Sequence, residues 1–188
     1  QELRPDAAPG GVPVVLLRAL ALSNDAEAVP GGGAEGDPTE VALLEAAAAQ
    51  GMEKSALAEL FPLLARLPFS AERGMMTTLH KEGEGVIAFV KGAPERVLAR
   101  CVRALDGEAL VPVDSAAVQA EVEALAAEGL RVLAFGVRRF PSVPDPLTPE
   151  EVERDLTFVG LAGLHDPARP EARAAIEDSN SELAGRLL

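Results

Sequence analysis

A lysine at the end of an apolar run is the residue in this sequence that is best placed to bind a ligand. Residues 86–90 (Val-Ile-Ala-Phe-Val) are typical of a buried strand, and Lys91 and Gly92 follow directly, just before Pro94, which suits a first helical position. A side chain at a strand end can point into a cleft, and a ligand can approach the backbone of a glycine because it has no Cβ. A solvated lysine beside a turn glycine would give the same pattern, and the spacing by itself favours that plainer explanation.

A carboxylate that could act as a hydrogen-bond acceptor opens a predicted helix. In the segment Asp37-Pro38-Thr39-Glu40, Asp37 suits the N-cap, Pro38 suits the first helical position, and Glu40 comes three residues after the cap, as in a capping box. The capping pattern explains Glu40 on structural grounds. A binding role for this carboxylate would therefore be additional to its structural one, and both can hold together.

An antiparallel meander is the element that must position Lys91. The pattern predicts a strand that ends at Phe69, a second strand from Met75 and a third from Val86, with a hairpin at residues 82–85 between the last two. The proline before Phe69 places the first strand at an edge of the sheet or makes this point its end. We therefore expect Phe69 and Lys91 to face the same cleft from different strands.

The remaining elements fit a mixed domain of helices and strands. Helices are predicted at residues 14–22, 38–50, 54–60, 94–101 and 115–127, with a short one after Thr148, and strands at residues 130–140 and 156–164. Arg131 lies at the start of the first of these strands. Two prolines within residues 166–170 then predict a stiff connector, and the helix predicted at 171–176 has no partner. We expect one domain over residues 1–163 and, over 164–188, a hinge and the truncated start of another.

Composition limits the classes of partner. The net charge of −13 argues against nucleic acid, because binding to phosphate backbones requires a basic surface. One cysteine excludes an internal disulfide, and one cysteine with two histidines cannot build a typical structural zinc site. No apolar stretch is long enough to span a bilayer, so we expect no direct contact between this chain and a membrane.

Five motifs, taken in order, resemble the nucleotide-binding domain of P-type cation-transporting ATPases of the calcium-pump-like branch. The string Lys-Gly-Ala-Pro-Glu is the most specific of them. The resemblance implies an α+β fold in which helices flank a twisted antiparallel sheet. The five motifs lie at residues 37–40, at 68–70 with Arg73 and Met76, at 91–95, at 129–134 and at 166–171.

The resemblance also implies a mechanism. Such a domain holds the adenine end of ATP and delivers the γ-phosphate to an aspartate of a neighbouring phosphorylation domain. By this resemblance Phe69 would stack on adenine, Lys91 would line the pocket floor, Glu40 would hydrogen-bond the base, and Arg131 would reach the phosphates. The other residues that the matched motifs place at or near the nucleotide are Ser70, Arg73 and Gly92, with Asp166 and Arg169 on the phosphate side at the hinge.

The implied partners are those of a pump. They are ATP, with Mg²⁺ in the intact pump, and the phosphorylation and actuator domains of the same polypeptide. The chain would be a cytoplasmic domain of an integral membrane protein. It would hold no catalytic residue and no metal ligand of its own, because the phosphorylated Asp-Lys-Thr-Gly-Thr motif is absent, and it would be inactive alone.

Departures from the family pattern leave an alternative open. Gly74 stands where the family usually has a lysine, which removes one positive charge near the triphosphate, and Ala168 replaces a proline of the hinge. The end of the chain does not continue as the family would, so we expect an excised domain, with the question of whether its tail is native left open. The alternative is a non-catalytic interaction domain that keeps the fold but no longer binds ATP. A positive, concave cleft would favour the pump, and a filled or acidic cleft would favour the alternative.

Overall fold

A computed structural model describes residues 12–29 and 33–165. The elements alternate between helices that pack on a sheet and the strands that form it. In chain order they are α1 (Val14–Leu22), β1 (Glu27–Ala28), β2 (Ala34–Glu35), α2 (Pro38–Ala49), α3 (Lys54–Leu60), β3 (Leu63–Ser70), β4 (Met75–Glu82), β5 (Gly85–Gly92), α4 (Pro94–Leu98), β6 (Cys101–Asp106), β7 (Ala109–Pro112), α5 (Ser115–Ala127), β8 (Leu130–Phe140), α6 (Pro149–Val152) and β9 (Leu156–His165).

Seven of these strands form one sheet in the order β3-β4-β5-β8-β9-β6-β7, and β1 pairs with β2 separately. All neighbouring strands of the large sheet are antiparallel except β6 and β9, which are parallel. The predicted α+β fold is confirmed, with this single parallel pair as its departure from antiparallel pairing. The predicted meander is β3-β4-β5, and β3 lies at the edge, as a strand that contains Pro68 must.

One hairpin was not predicted from the sequence. The helix expected to reach Cys101 ends at Leu98, and β6 begins at Cys101. The turn that begins at Asp106-Gly107 joins β6 to β7, and Gly107 has the positive φ that such a turn requires. An Asp-Gly pair between two strand-like segments is a sequence signal for a hairpin.

The main core forms where α1 packs against α2, α3 and the sheet. Helix α1 is apolar almost all round, and most of its residues are buried among side chains of α2, α3, β5 and β8. An all-round apolar helix can lie only between two layers. Helix α1 therefore fixes where α2 sits against the sheet, and with it the position of Glu40 in the first turn of α2.

Within residues 12–29 and 33–165 no helix is long and apolar enough to cross a membrane. The predicted hinge residues Asp166 and Arg169, and the helix predicted at 171–176, lie outside the described residues. The domain boundary proposed from the sequence at residues 163–164 stays a prediction.

Candidate functional site

A cavity of about 650 Å³ opens beside the first turn of α2, at the end of β5 and the start of β8. It brings together residues from six segments of the chain, among them most of the predicted site. A pocket of this size, with apolar walls and a few polar groups, is typical of small-molecule sites. Its lining consists of Asp25, Gly36, Asp37, Thr39, Glu40, Phe69, Gly74, Met76, Lys91, Gly92, Ala93, Pro94, Arg131, Val132 and Leu133.

An ion pair between Lys91 and Glu40 lies at this cavity. Lys91 Nζ is 2.7 Å from Glu40 Oε1, and Lys91 is only 6% exposed. Glu40 Oε2 accepts a hydrogen bond of 2.8 Å from the backbone N–H of Asp25. The predicted capping box is wrong for Glu40, because its carboxylate turns away from the Asp37 backbone to make these two contacts. The cap itself is Asp37, whose Oδ1 accepts from Thr39 N at 2.9 Å.

Burial sets the electrostatics of Lys91. Desolvation lowers the pKa of the Lys91 ammonium from its ordinary value, because burial disfavours the charged form. The hydrogen bond and the charge of Glu40 act in the opposite direction, followed by the charges of Asp25 and Asp37. A buried ammonium held by one carboxylate keeps donors for a ligand, since lysine has three N–H bonds.

Phe69 also lines the cavity. Phe69 is 64% exposed, although it belongs to the sheet, because β3 is an edge strand. The pairing of β3 with β4 is irregular between Leu67 and Ser70, so the regular ladder is interrupted around Phe69. A large exposed aromatic side chain beside a cavity offers a flat face on which a ring can stack.

Arg131 is the second cation of the cavity. It is exposed at the start of β8, and its Nη1 donates a hydrogen bond of 3.3 Å to Thr39 Oγ1 at the start of α2. This contact joins β8 to α2 across the mouth of the cavity. The remaining guanidinium N–H groups are suited to carboxylate or phosphate oxygens.

Two of the three glycines that line the cavity are explained by packing and backbone conformation, which the sequence did not show. A Cβ on Gly92 would lie 2.4 Å from the Gly74 carbonyl oxygen and 2.6 Å from Met75 Cβ, so Gly92 is needed for close packing of the chain itself. The expected approach of a ligand to its backbone is thus not what explains this glycine. Gly74 has φ +69°, and a Cβ there would lie 2.9 Å from Arg96 Cγ. The backbone conformation at residue 74 favours glycine over the lysine that the family pattern has.

Two predicted site residues are not brought to the cavity. Neither Ser70 nor Arg73 is among its lining residues. The Arg73 guanidinium donates to Glu153 Oε1 and to the carbonyl of Pro68, and Ser70 Oγ accepts a long contact of 3.5 Å from Arg73 N. Their role in the turn between β3 and β4 is therefore structural in the first place.

The residues that hold Glu40 were missed from the sequence. The side-chain amide of Asn24 donates to the Glu40 carbonyl at 2.7 Å and to the Leu20 carbonyl at 3.1 Å, while its Oδ1 accepts from Ala26 N at 2.8 Å. An asparagine that satisfies several backbone groups can be found only when the packed helices are known, since its partners are distant in sequence.

The charge of the cavity is mixed. Its ionisable residues are three acids (Asp25, Asp37 and Glu40) and two bases (Lys91 and Arg131). The cleft is open and concave, as expected for a ligand site, but it is not the positive cleft that the pump hypothesis anticipated. Within the described part of the chain, no group of three or more potential ligands could hold a metal ion.

Comparisons with known proteins identify relatives over most of the chain. The family described as "P-type ATPase, cytoplasmic domain N" matches residues 14–171. The cation-transporting ATPase pma1 of Synechocystis sp. is 39% identical over 174 residues, which are 88% of this chain and 19% of that protein. Calcium-transporting ATPase 1 of Bacillus cereus is 34% identical over 167 residues, 87% of this chain and 18% of that protein. The calcium-transporting ATPase of Bacillus subtilis is 35% identical over 148 residues, which are 77% of this chain and 16% of that protein. The chain spans about a fifth of the length of these relatives.

Proposed function

Since this chain belongs to the P-type cation-transporting ATPases, as their cytoplasmic domain N, we propose that its cavity binds ATP by the adenine end. The observation that carries the proposal is the placement of an exposed aromatic ring, Phe69, in the same cavity as the buried Lys91–Glu40 pair. The ring offers a stacking surface and the pair offers directed hydrogen-bonding groups. Stacking of a base on an aromatic side chain contributes about 1–3 kcal/mol in single-strand binders.

Glu40 and Lys91 would recognise the edge of the base. Each oxygen of the Glu40 carboxylate already accepts one hydrogen bond, from Lys91 or from Asp25 N–H. A carboxylate has about four lone-pair sites, so both oxygens can accept a further hydrogen bond from an amino group. Lys91, at the floor, would donate to ring nitrogens. A base that presents a donor to Glu40 would be preferred over one that presents an acceptor.

Arg131 would bind the phosphates. It lies on the cavity wall formed by the start of β8, and its guanidinium is held beside Thr39. Mg²⁺ would arrive on the phosphate oxygens of ATP, because the described residues offer no cluster of ligands for it and Mg²⁺ is commonly bound through substrate phosphates. Its charge would also offset the carboxylates near the cavity.

The rest of the mechanism follows from the relatives that are named as ATPases. We infer that this domain serves a membrane cation pump from its cytoplasmic side and positions ATP for phosphoryl transfer to an aspartate of a separate phosphorylation domain. Asp166 and Arg169 would form the hinge to that domain, and an actuator domain would complete the cytoplasmic part. The chain by itself would bind ATP weakly, given Gly74, and would not phosphorylate itself.

A titration tests the proposal. Amide NMR shifts of the ¹⁵N-labelled chain would be followed as ATP, adenosine or tripolyphosphate is added. Binding at the cavity predicts saturable shifts at residues around Phe69, Lys91 and Arg131 with ATP, with adenosine affecting the first two. Absence of any saturable response to ATP, or the same response in wild type, Phe69→Ala and Lys91→Met, would overturn the site assignment.

A second candidate function is supported by one observation. The acids of the cavity outnumber its bases by three to two, and this is the outcome that favours an interaction domain of the same fold that no longer binds ATP. The ATP titration separates the two candidates, because the interaction domain predicts no saturable shift at millimolar ATP. Since the cavity is open and not filled by side chains, the ATP-binding function is the better supported of the two.

A further inference from the structure

We propose that Arg73 and Glu153 position the ring of Phe69, by holding the carbonyl of Pro68 in place, and that they do so without touching the nucleotide. The inference rests on the proposed function, since it concerns the surface on which the base would stack. It assigns a role to Arg73 other than the direct contact expected from the sequence, and a role to Glu153, which no sequence motif indicated.

The backbone that carries Phe69 needs support from outside the sheet. Strand β3 lies at the edge, so it has a neighbour on one side only, and its ladder with β4 is irregular between Leu67 and Ser70. Pro68 has no N–H to contribute to the ladder. The Phe69 side chain is 64% exposed, so packing contributes little to its orientation. Something other than strand pairing or burial must fix this residue.

The Arg73 guanidinium supplies a fixed point. One of its terminal nitrogens, Nη2, donates to the Pro68 carbonyl, which is the acceptor group next to Phe69, and the other, Nη1, donates to Glu153 Oε1. Because a guanidinium is planar and its N–H groups have a fixed geometry, two simultaneous acceptors determine its orientation. The turn from Ser70 to Gly74 is closed by a backbone hydrogen bond of 2.7 Å, which keeps Arg73 close to the strand it supports.

Glu153 is the buried anchor of this arrangement. It is 0% exposed, and its Oε1 also accepts a hydrogen bond of 2.8 Å from Thr77 Oγ1 on β4. Its own backbone is held on both sides, since its N–H donates to the Pro149 carbonyl at 2.7 Å and its carbonyl accepts from Arg100 Nη1 at 2.9 Å. Its Oε2 has no hydrogen-bond partner among the described residues.

A buried carboxylate of this kind is poor evidence for stability. The desolvation of two charges offsets much of their attraction, so a buried ion pair often adds little to the free energy of unfolding. A hydrogen-bonded ion pair can still hold the groups around it in a single geometry. Here the chain of contacts runs from the Glu153 carboxylate through Arg73 to the Pro68 carbonyl, and it ends one residue before the exposed ring.

A double-mutant cycle tests the inference on the whole chain. Arg73→Lys keeps the charge, but a lysine can reach only one of the two acceptors, Glu153 Oε1 or the Pro68 carbonyl. We therefore expect the ATP dissociation constant to rise about threefold to tenfold, because part of the stacking free energy is lost. The affinity for tripolyphosphate, which has no base, should not change. In a Phe69→Ala background, Arg73→Lys should have no further effect on ATP, because the ring it positions is gone. Glu153→Gln, which keeps the shape of the side chain, is the second variant and should behave alike.

The matched control is Arg139→Lys, which alters a solvent-exposed ion pair with Glu82 that lies away from the cavity. It should leave both affinities unchanged. The inference is overturned if folded Arg73→Lys and Glu153→Gln bind ATP like the wild type, or if their effects persist in the Phe69→Ala background. Failure of the proposed function looks different, since then the wild type shows no saturable ATP response or Phe69→Ala alone leaves it unchanged.

Discussion

Lys91 Nζ and Glu40 Oε1 lie 2.7 Å apart, although 51 residues separate them in the sequence. The pair joins the end of β5 to the first turn of α2, and both side chains are largely removed from solvent. Each charge therefore depends on the other for compensation. This dependence leads to the first prediction.

Removing one partner of the Lys91–Glu40 pair should destabilise the domain more than removing both. Glu40→Gln leaves a desolvated ammonium without its counter-charge, and we expect a loss of about 2–4 kcal/mol in the free energy of unfolding. The double variant Glu40→Gln with Lys91→Met should recover part of that loss. Urea denaturation of the four proteins gives the coupling energy. Additive losses would mean that the pair is not coupled in solution.

Phe69→Ala should separate binding from stability. Because the ring is mostly exposed, its removal should change the free energy of unfolding by less than about 0.5 kcal/mol. If adenine stacks on this ring, the ATP dissociation constant should rise about fivefold or more. Thermal denaturation and NMR titration of one sample measure both quantities. The exposed Leu110→Ala, on β7 outside the cavity lining, is the control that should alter neither.

Substitutions of Gly74 should distinguish backbone conformation from charge. Gly74→Ala places a side chain at φ +69° and against Arg96, which should lower the free energy of unfolding by about 1–2 kcal/mol. Gly74→Lys shares that cost but adds a cation, so its ATP affinity should exceed that of Gly74→Ala by about twofold to fivefold. The advantage should shrink at high salt. Equal affinities for the two variants would show that residue 74 does not reach the phosphates.

His80 should make the domain less stable in mild acid. Burial lowers the pKa of His80 from its ordinary value of 6.5, more than its hydrogen bond with the Phe61 carbonyl raises it, and the charge of Lys54 lowers it further. Below pH 6.5 the unfolded chain therefore takes up a proton that the folded chain does not. The free energy of unfolding then decreases as the pH is lowered, until the pH reaches the lowered pKa of the folded chain. The slope contributed is at most about 1.4 kcal/mol per pH unit.

The variant His80→Gln provides the comparison. Because both proteins share all other titrating groups, the difference between their unfolding free energies at pH 7.5 and pH 5.5 isolates the contribution of His80. We expect the wild type to lose more stability than the variant over this interval. Equal losses would show that His80 is protonated as readily in the folded chain as in the unfolded one.

The sequence predicted those features that depend on local pattern. Phe69 and Lys91 were expected in one cleft because successive strands of a meander lie side by side, which leaves a single strand between the first and the third, and the structure places both residues at one cavity. The N-cap at Asp37 was likewise local and is present. These features require only the periodicity of strands and the chemistry of helix ends.

Features that depend on packing could not be predicted. Glu40 leaves its capping position because α1 and the loop after it bring Asn24 and Asp25 beside α2. Arg73 meets Glu153 across 80 residues of sequence, and no motif contains the glutamate. Hydrogen bonds between distant elements follow from the tertiary arrangement, so a single sequence gives no signal for them.

Strand β8 bears on both ends of the proposed binding site. Its first residues carry Arg131 to the cavity, and near its other end Arg138 Nη1 donates to the carbonyls of Glu151 and Arg154, which flank Glu153. Arg138 follows Arg131 by seven positions of extended chain, a span of roughly 23 Å. A single strand thus sets the distance between Arg131, the proposed phosphate ligand, and the backbone that holds Glu153. In the proposed binding mode, the base and the phosphates of one nucleotide would therefore be held at a separation that this strand sets.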